Sequence, residues 1–126
     1  MAGANGRTLI VDDEEDMRIL LRATIEAANK GLSVAGEAGG GEEGLAQWRT
    51  HRPDIVLLDQ RMPDLTGLEV AERILAESPD QTIVLFSAYL DDATRTTALS
   101  LGVRECLSKS DFARVPEVLW RCAAAG

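Results

Sequence analysis

The chain has 126 residues, of which 45% are hydrophobic, and its formal net charge is -8. This length suits one globular domain with a substantial core and is too short for a second domain. The acidic charge argues against direct nucleic-acid binding, and no apolar run approaches the roughly 20 residues that a membrane span needs. Residues 1–6 also lack the apolar segment of a signal peptide, so we expect a cytoplasmic protein that binds neither nucleic acid nor membrane.

Strand and helix patterns alternate along the chain, with no linker or repeat between them. Apolar runs predict five strands, at residues 8–11, 32–36, 55–58, 82–86 and 105–108. Helical spacing predicts five helices, at about residues 14–28, 42–50, 68–75, 92–101 and from 112 onward. Short crossovers of this kind require a parallel sheet with right-handed connections, so the predicted fold class is α/β, doubly wound. Three consecutive glycines at 39–41 predict a flexible loop near the strand ends.

Four of the predicted helices carry an apolar stripe that is expected to face the sheet. The inward positions are Met17, Leu20, Leu21, Thr24, Ile25 and Ala28; then Leu45 and Trp48; then Leu68, Ala71, Ile74 and Leu75; and finally Phe112, Val115, Leu119 and Cys122. The helix at 92–101 is rich in threonine and has few, small apolar residues, so we expect it to be held loosely. Trp120 lies beside the last stripe, and two interpretations stay open: a partner anchor, or partial burial at the helix edge.

Chemically active side chains follow four of the predicted strands. Asp12 and Asp13 follow the first strand and Asp59 the third. Ser87 follows the fourth and Lys109 the fifth. Because the carboxyl ends of parallel strands meet at one edge of an open α/β sheet, these side chains should share a pocket. Clustered carboxylates repel one another, and Mg²⁺ relieves that repulsion, so the pattern predicts a site for Mg²⁺ and a phosphoryl group.

The residue types indicate a division of roles in this pocket. Asp12 and Asp13 are adjacent and suit metal binding, whereas Asp59 stands alone and can attack phosphorus to give an acyl phosphate. The Lys109 ammonium and the Ser87 hydroxyl suit the oxygens of a phosphoryl group in transfer. Taken singly, these residues would be a solvated helix cap, a surface lysine and a turn serine. Their recurrence at matching strand ends favours the functional interpretation.

Four pieces of the sequence together resemble the receiver domain of two-component response regulators. They are VDDE at 11–14, DQRMPDLTG at 59–67, SA at 87–88 and Lys109. The match runs in order along nearly the whole chain, which gives a domain at 7–124 after a flexible N-terminus at 1–6. The resemblance implies a flavodoxin-like fold, with a five-stranded sheet in the order 2-1-3-4-5 flanked by five helices.

The resemblance also implies roles for individual residues. Asp59 would accept a phosphoryl group from a sensor histidine kinase, and Ser87 and Lys109 would contact that group. Mg²⁺ would be bound by the three aspartates and the backbone carbonyl of Arg61. Arg61 and Tyr89 resemble positions that gate access of water and partners, with ordinary loop exposure as the alternative. The fourth helix, fifth strand and fifth helix would transmit the signal to an output domain, a partner protein or a phosphorylation-dependent homodimer.

Two positions depart from the family pattern. Cys106 stands three residues before Lys109, where receivers usually carry a tyrosine or phenylalanine that swings inward on phosphorylation. Ser110 follows Lys109, where a proline in a cis bond is common. A cis bond before a non-proline residue costs about 2.5 to 4 kcal/mol, so a trans bond or an altered loop is expected here. Both departures concern the output and leave the phosphorylation chemistry unchanged.

Two other classes of function are compatible with parts of the pattern. A Mg²⁺-dependent phosphohydrolase would share the nucleophile and metal, but such enzymes need an acid two residues after the nucleophile, where Arg61 stands. A degenerate receiver would lack the acceptor, the acid pair or the lysine, and none of these is missing. The remaining reactive residues have ordinary interpretations: His51 as a solvated residue at a helix end, and Cys106 and Cys122 as reduced structural thiols. Whether the protein is free-standing or part of a longer DNA-binding regulator stays open.

Overall fold

Alternating strands and helices form one parallel sheet covered on both faces. The computed structural model describes residues 6–125. Its strands are β1 (Gly6–Val11), β2 (Leu32–Ala38), β3 (Ile55–Leu58), β4 (Thr82–Ser87) and β5 (Glu105–Ser108). Its helices are α1 (Glu15–Ala27), α2 (Gly41–His51), α3 (Gly67–Glu77), α4 (Asp92–Leu101) and α5 (Val115–Ala125). The strand order β2-β1-β3-β4-β5 confirms the predicted flavodoxin-like topology.

Two apolar layers hold the helices on opposite faces of the sheet. On one face α2, α3 and α4 pack through a cluster that includes Trp48, Ile74 and Ala98. On the other face α1 and α5 pack through a cluster that includes Ile25 and Leu119. Strands buried on both faces read as continuous apolar runs, which is why the central strands were recognisable in the sequence.

Some local predictions are wrong in detail. Leu20 was expected to face the sheet but is 51% exposed. The fully buried residues of α1 are Leu21 and Ile25. The last helix was expected to begin at Phe112, but that residue lies in a 3-10 turn, Lys109–Arg114, and α5 begins at Val115. Phe112 still packs on the core, with its ring centroid 6.3 Å from that of Phe86.

The polypeptide around the glycine triplet is more ordered than the sequence suggests. β2 extends to Ala38, two residues past the predicted end, and Gly41 is already the first residue of α2. Gly39 donates its backbone N–H to the Glu43 carboxylate, and Gly41 donates to Asp64. The segment expected to be a flexible loop is therefore a short connection tied by hydrogen bonds.

The structure also describes the start of β1, the peptide bond after Lys109 and the surroundings of Trp120. Residues 1–5 of the N-terminus expected to be flexible lie outside the described part, and Gly6 is already the first residue of β1. The bond between Lys109 and Ser110 is trans, as expected, since residues 6–125 contain no cis peptide. Trp120 is half-exposed, with the Lys30 ammonium 5.8 Å from its ring. In the described part of the chain, no helix is long and apolar enough to cross a membrane.

Candidate functional site

The carboxyl ends of β1, β3, β4 and β5 bring the predicted side chains to one edge of the sheet. Strand register sets Val11 beside Leu58, Leu58 beside Leu85 and Ser87 beside Ser108, so the strands end at similar levels. Asp12, Asp13 and Asp59 each offer a carboxylate oxygen within 4.8 Å of the others. The structure thus assembles the predicted acidic cluster.

Burial differs among the members of the pocket. Asp12 is 2% exposed, Asp59 is 4% exposed and Ser87 is fully buried, whereas Asp13 is exposed to solvent. Burying a carboxylate costs free energy unless the group is paired. Two buried carboxylates side by side therefore indicate a candidate functional site. The exposed Asp13 forms the open side of the cluster.

Lys109 supplies the positive charge of the pocket. Its ammonium lies 2.9 Å from Asp12 Oδ2, 3.4 Å from Asp59 Oδ1 and 3.5 Å from Glu14 Oε1. Burial lowers the pKa of Lys109, but the hydrogen bonds and charges of Asp12 and Asp59 outweigh this and raise the pKa above its usual value. The lysine therefore stays charged and holds the two buried aspartates together.

The proton affinity of the Asp59 carboxylate is shifted by its surroundings. Burial and the neighbouring charge of Asp12 raise its pKa to about 6, against the opposing effects of Lys109 and the backbone N–H of Arg61. A buried, perturbed carboxylate in a cleft is typical of a functional site. At neutral pH Asp59 is ionised and able to act as a nucleophile.

The Asp12 carboxylate is suited to a cation. Its Oδ1 accepts the backbone N–H of Glu14 at 2.9 Å, whereas its Oδ2 is buried without a well-aligned hydrogen bond and contacts only the Lys109 charge. Neither aspartate caps α1, because the residue at the cap position is Glu14. A buried carboxylate oxygen with free lone pairs, next to two further carboxylates, fits a hard divalent cation such as Mg²⁺.

Ser87 is turned toward its own loop in this structure. Its hydroxyl donates to the carbonyl of Tyr89 at 3.2 Å and accepts the N–H of Tyr89 at 3.3 Å. The Tyr89 ring in turn lies 5.5 Å from the guanidinium of Arg61. Arg61 and Tyr89, for which gating and ordinary loop exposure were both left open, are therefore close to each other, and both are exposed.

The loop that follows Asp59 is fixed by residues to which the sequence analysis gave no role. Asp64 accepts the N–H groups of Glu42 and Gly41 at the start of α2, which lowers its pKa to about 2. Gly67 packs so closely on Asp59 that a Cβ there would collide with the Asp59 carbonyl oxygen. Both lie inside the motif at 59–67, but their contacts join distant segments that a local pattern does not reveal.

The fold and pocket define a doubly wound α/β protein with buried carboxylates and a lysine at the carboxyl edge of its sheet. The family model for the response regulator receiver domain matches residues 8–118, and the chain belongs to that family. It is a receiver domain of two-component signalling.

Relatives of different length share this domain. The chain is 35% identical over 103 residues to the chemotaxis protein CheY of Thermotoga maritima, an alignment covering 82% of this chain and 84% of CheY. It is 42% identical over 103 residues to protein-glutamate methylesterase/protein-glutamine glutaminase 2 of Anaeromyxobacter dehalogenans. That alignment also covers 82% of this chain but only 30% of the relative, so the chain spans less than a third of that protein.

Solved structures are similar over nearly the whole chain. A LuxR-family two-component response regulator from Aurantimonas sp. SI85-9A1 superposes with a TM-score of 0.90 at 27% identity, covering 96% of this chain and 86% of that one. The signal receiver domain of the NarL regulator from Mycobacterium tuberculosis gives 0.88 at 27% identity, covering 97% and 98%. The fold of this chain is thus shared with solved response regulators from two different bacteria.

Proposed function

We propose that this domain accepts a phosphoryl group from a sensor histidine kinase onto Asp59. An Asp59 carboxylate oxygen would attack phosphorus, forming an O–P bond as the N–P bond of the phosphohistidine breaks. The electron pair of that bond leaves with the imidazole nitrogen, which then takes up a proton. The product is an aspartyl phosphate, which water later hydrolyses to restore the carboxylate.

The observation that carries this proposal is that the Lys109 ammonium lies beside two buried aspartates. Its distances of 2.9 Å to Asp12 and 3.4 Å to Asp59 put a fixed positive charge beside the proposed nucleophile. A phosphoryl group in transfer spreads negative charge over its equatorial oxygens, which an ammonium stabilises. The Ser87 hydroxyl would turn from Tyr89 to donate to one of these oxygens.

Asp12, Asp13 and Asp59 would hold Mg²⁺, together with the backbone carbonyl of Arg61. When bound, the ion would neutralise charge on the carboxylates and on the phosphoryl oxygens. The support is the cluster of oxygens within 4.8 Å and the buried Oδ2 of Asp12, which is paired with the Lys109 ammonium at 2.9 Å and has room for a further cationic partner. A phosphohydrolase is less well supported, because the position where such an enzyme needs an acid is Arg61, an exposed base whose guanidinium lies 5.5 Å from the Tyr89 ring.

The partners beyond the kinase follow from the proposed switch. Phosphorylation would change the face formed by α4, β5 and α5, and so control an output domain, a partner protein or a homodimer. The relatives include both a CheY of similar length and a methylesterase more than three times as long as the aligned region. Either arrangement fits a receiver, and we propose no nucleic-acid or membrane contact by this domain.

The test is phosphorylation by acetyl phosphate with Mg²⁺, followed by intact mass spectrometry. Wild type should gain one phosphoryl group, and Asp59→Asn should gain none, because an amide cannot form the acyl phosphate. Asp80→Asn is the matched control, since Asp80 is an exposed aspartate in the α3–β4 connection. Undiminished labelling of Asp59→Asn, or loss of label from Asp80→Asn, would contradict the assignment.

A further inference from the structure

The guanidinium of Arg18 lies next to the backbone of Asp12, one of the proposed metal ligands. The proposed chemistry assigns no role to this guanidinium. Arg18, in the first turn of α1, donates from Nη1 to the main-chain carbonyl of Asp12 at 2.6 Å. Its Nε lies 3.5 Å from Glu37 on β2, and the side chain is 18% exposed. Gly39 leaves room for the guanidinium, because a Cβ there would lie 3.2 Å from Nη1. Arg18 thus bridges the β1–α1 turn and the neighbouring strand.

The Asp12 carbonyl is part of the peptide unit that leads into Asp13. The six atoms of a peptide unit, including both Cα atoms, lie in one plane, so holding the oxygen fixes the direction in which Asp13 leaves. The orientation of this peptide has more influence on the Asp13 side chain than on the Asp12 side chain. The Asp12 side chain is buried and contacts Glu14 and Lys109, whereas the Asp13 side chain is exposed and has no packed surroundings to orient it.

We propose that Arg18 is a positioning residue that orients Asp13 for Mg²⁺ binding through the Asp12–Asp13 peptide. The inference rests on the proposed Mg²⁺ site. Groups that orient metal ligands commonly contribute about 10- to 100-fold to affinity. A role through charge alone would have the opposite sign, because removing a cation from the edge of a cation site favours Mg²⁺ binding.

The sign of the effect can be measured with Arg18→Met. Methionine keeps an unbranched side chain and a similar helix propensity while removing the donors and charge of arginine. We expect Mg²⁺ binding, measured by calorimetry and by the Mg²⁺-dependent rise in Tm, to weaken about tenfold. Arg18→Lys restores a donor within reach of the carbonyl and should recover most of that loss. If Arg18→Met does not fold, Arg18→Ala takes its place.

Arg22→Ala is the matched control. Arg22 lies on the same helix and binds the same Glu37 at 2.6 Å, without a contact to Asp12. Because this partly exposed ion pair does not reach the Asp12 carbonyl, Mg²⁺ affinity should stay within about twofold of wild type. A control variant that weakens Mg²⁺ binding as much as Arg18→Met would overturn the positioning role in favour of a general effect of the ion-pair network.

A double-mutant cycle with Asp13→Asn tests the route of the effect. If Arg18 acts through Asp13, Arg18→Met should change Mg²⁺ affinity little once Asp13 has lost its charge. An undiminished effect would overturn the inference, as would an Arg18→Met single variant that binds Mg²⁺ as tightly as wild type or more tightly. Absence of Mg²⁺ binding by wild type would instead contradict the proposed function itself.

Discussion

At Asp59, two opposing influences set the charge of the proposed nucleophile. Burial and Asp12 favour the protonated form, whereas Lys109 favours the ionised form, and the net result is a pKa raised to about 6. Between about pH 4 and 6 the folded protein therefore keeps a proton that the unfolded chain has released. Folding stability should fall as the pH rises through this window, and the full cost of ionised Asp59 is present at neutral pH.

Asp59→Asn should remove this cost. We expect the variant to be more stable than wild type at pH 7.5, by on the order of 1 kcal/mol, and the difference to vanish below about pH 4. Urea unfolding of the metal-free proteins at several pH values measures it. Asp80→Asn, which changes an exposed aspartate, should show no such pH-dependent gain. A metal-free Asp59→Asn protein that is less stable than wild type at pH 7.5 would refute the cost of ionising Asp59 in its buried position beside Asp12.

At the level of elements, the start of α3 packs against Asp59, the proposed nucleophile. Thr66 and Glu69 form reciprocal hydrogen bonds that cap the helix, and Gly67 packs on the Asp59 carbonyl. Glycine near a helix start would ordinarily be improved by alanine, which favours helix. Here the close approach reverses that expectation, because a Cβ would collide with main-chain atoms.

Gly67→Ala should therefore destabilise the protein by about 1–3 kcal/mol, the usual cost of forcing an extra carbon into a packed site. It should also slow phosphorylation by acetyl phosphate, because the Asp59 backbone has to shift. Glu72→Ala, at an exposed position of the same helix, should change stability by less than about 0.5 kcal/mol. Chemical unfolding and the rate of labelling measure both effects. A stabilised Gly67→Ala variant would show that the contact at residue 67 relaxes without cost.

At the scale of the whole molecule, the features that sequence reasoning predicted are those carried by local patterns. Apolar runs gave all five strands, and the strand-end residues Asp12, Asp59 and Lys109 met in one pocket as expected. Contacts between distant segments could not be predicted from such local patterns. The bridge from Arg18 to Asp12 and Glu37 and the clamp of Asp64 on α2 depend on tertiary packing. The 3-10 turn before α5 was missed because its residues continue the helical spacing.

The helix with the fewest buried residues, α4, lies on the proposed output face. Ala98 is its only buried residue and Leu99 is 49% exposed, so α4 gains little from packing. Its ends are better defined, with Asp91 accepting the Thr94 N–H at 2.8 Å and Gly102 in the left-handed region at φ 109°. Despite these caps, the poor burial of α4 favours a segment that opens locally at low free energy, as switching elements do.

We expect phosphorylation to act on this helix through Ser87 instead of through an aromatic switch. Turning the Ser87 hydroxyl toward a phosphoryl group would break its two hydrogen bonds to Tyr89 and so release the connection to α4. The thiol of Cys106, buried on β5, is too small to move as a tyrosine or phenylalanine ring would. Hydrogen exchange with and without beryllofluoride, a mimic of the phosphoryl group, should therefore change most at residues 88–101.

Two variants separate this route from others. Cys106→Ala should keep most of the change in exchange, since no ring is involved, whereas Ser87→Ala should lose it, because the hydroxyl that links the phosphoryl group to Tyr89 is gone. Both should still bind Mg²⁺, because neither residue belongs to the proposed metal ligands. If α4 is as well protected as α1 before beryllofluoride is added, and does not respond to it, then the signal leaves the domain by another surface.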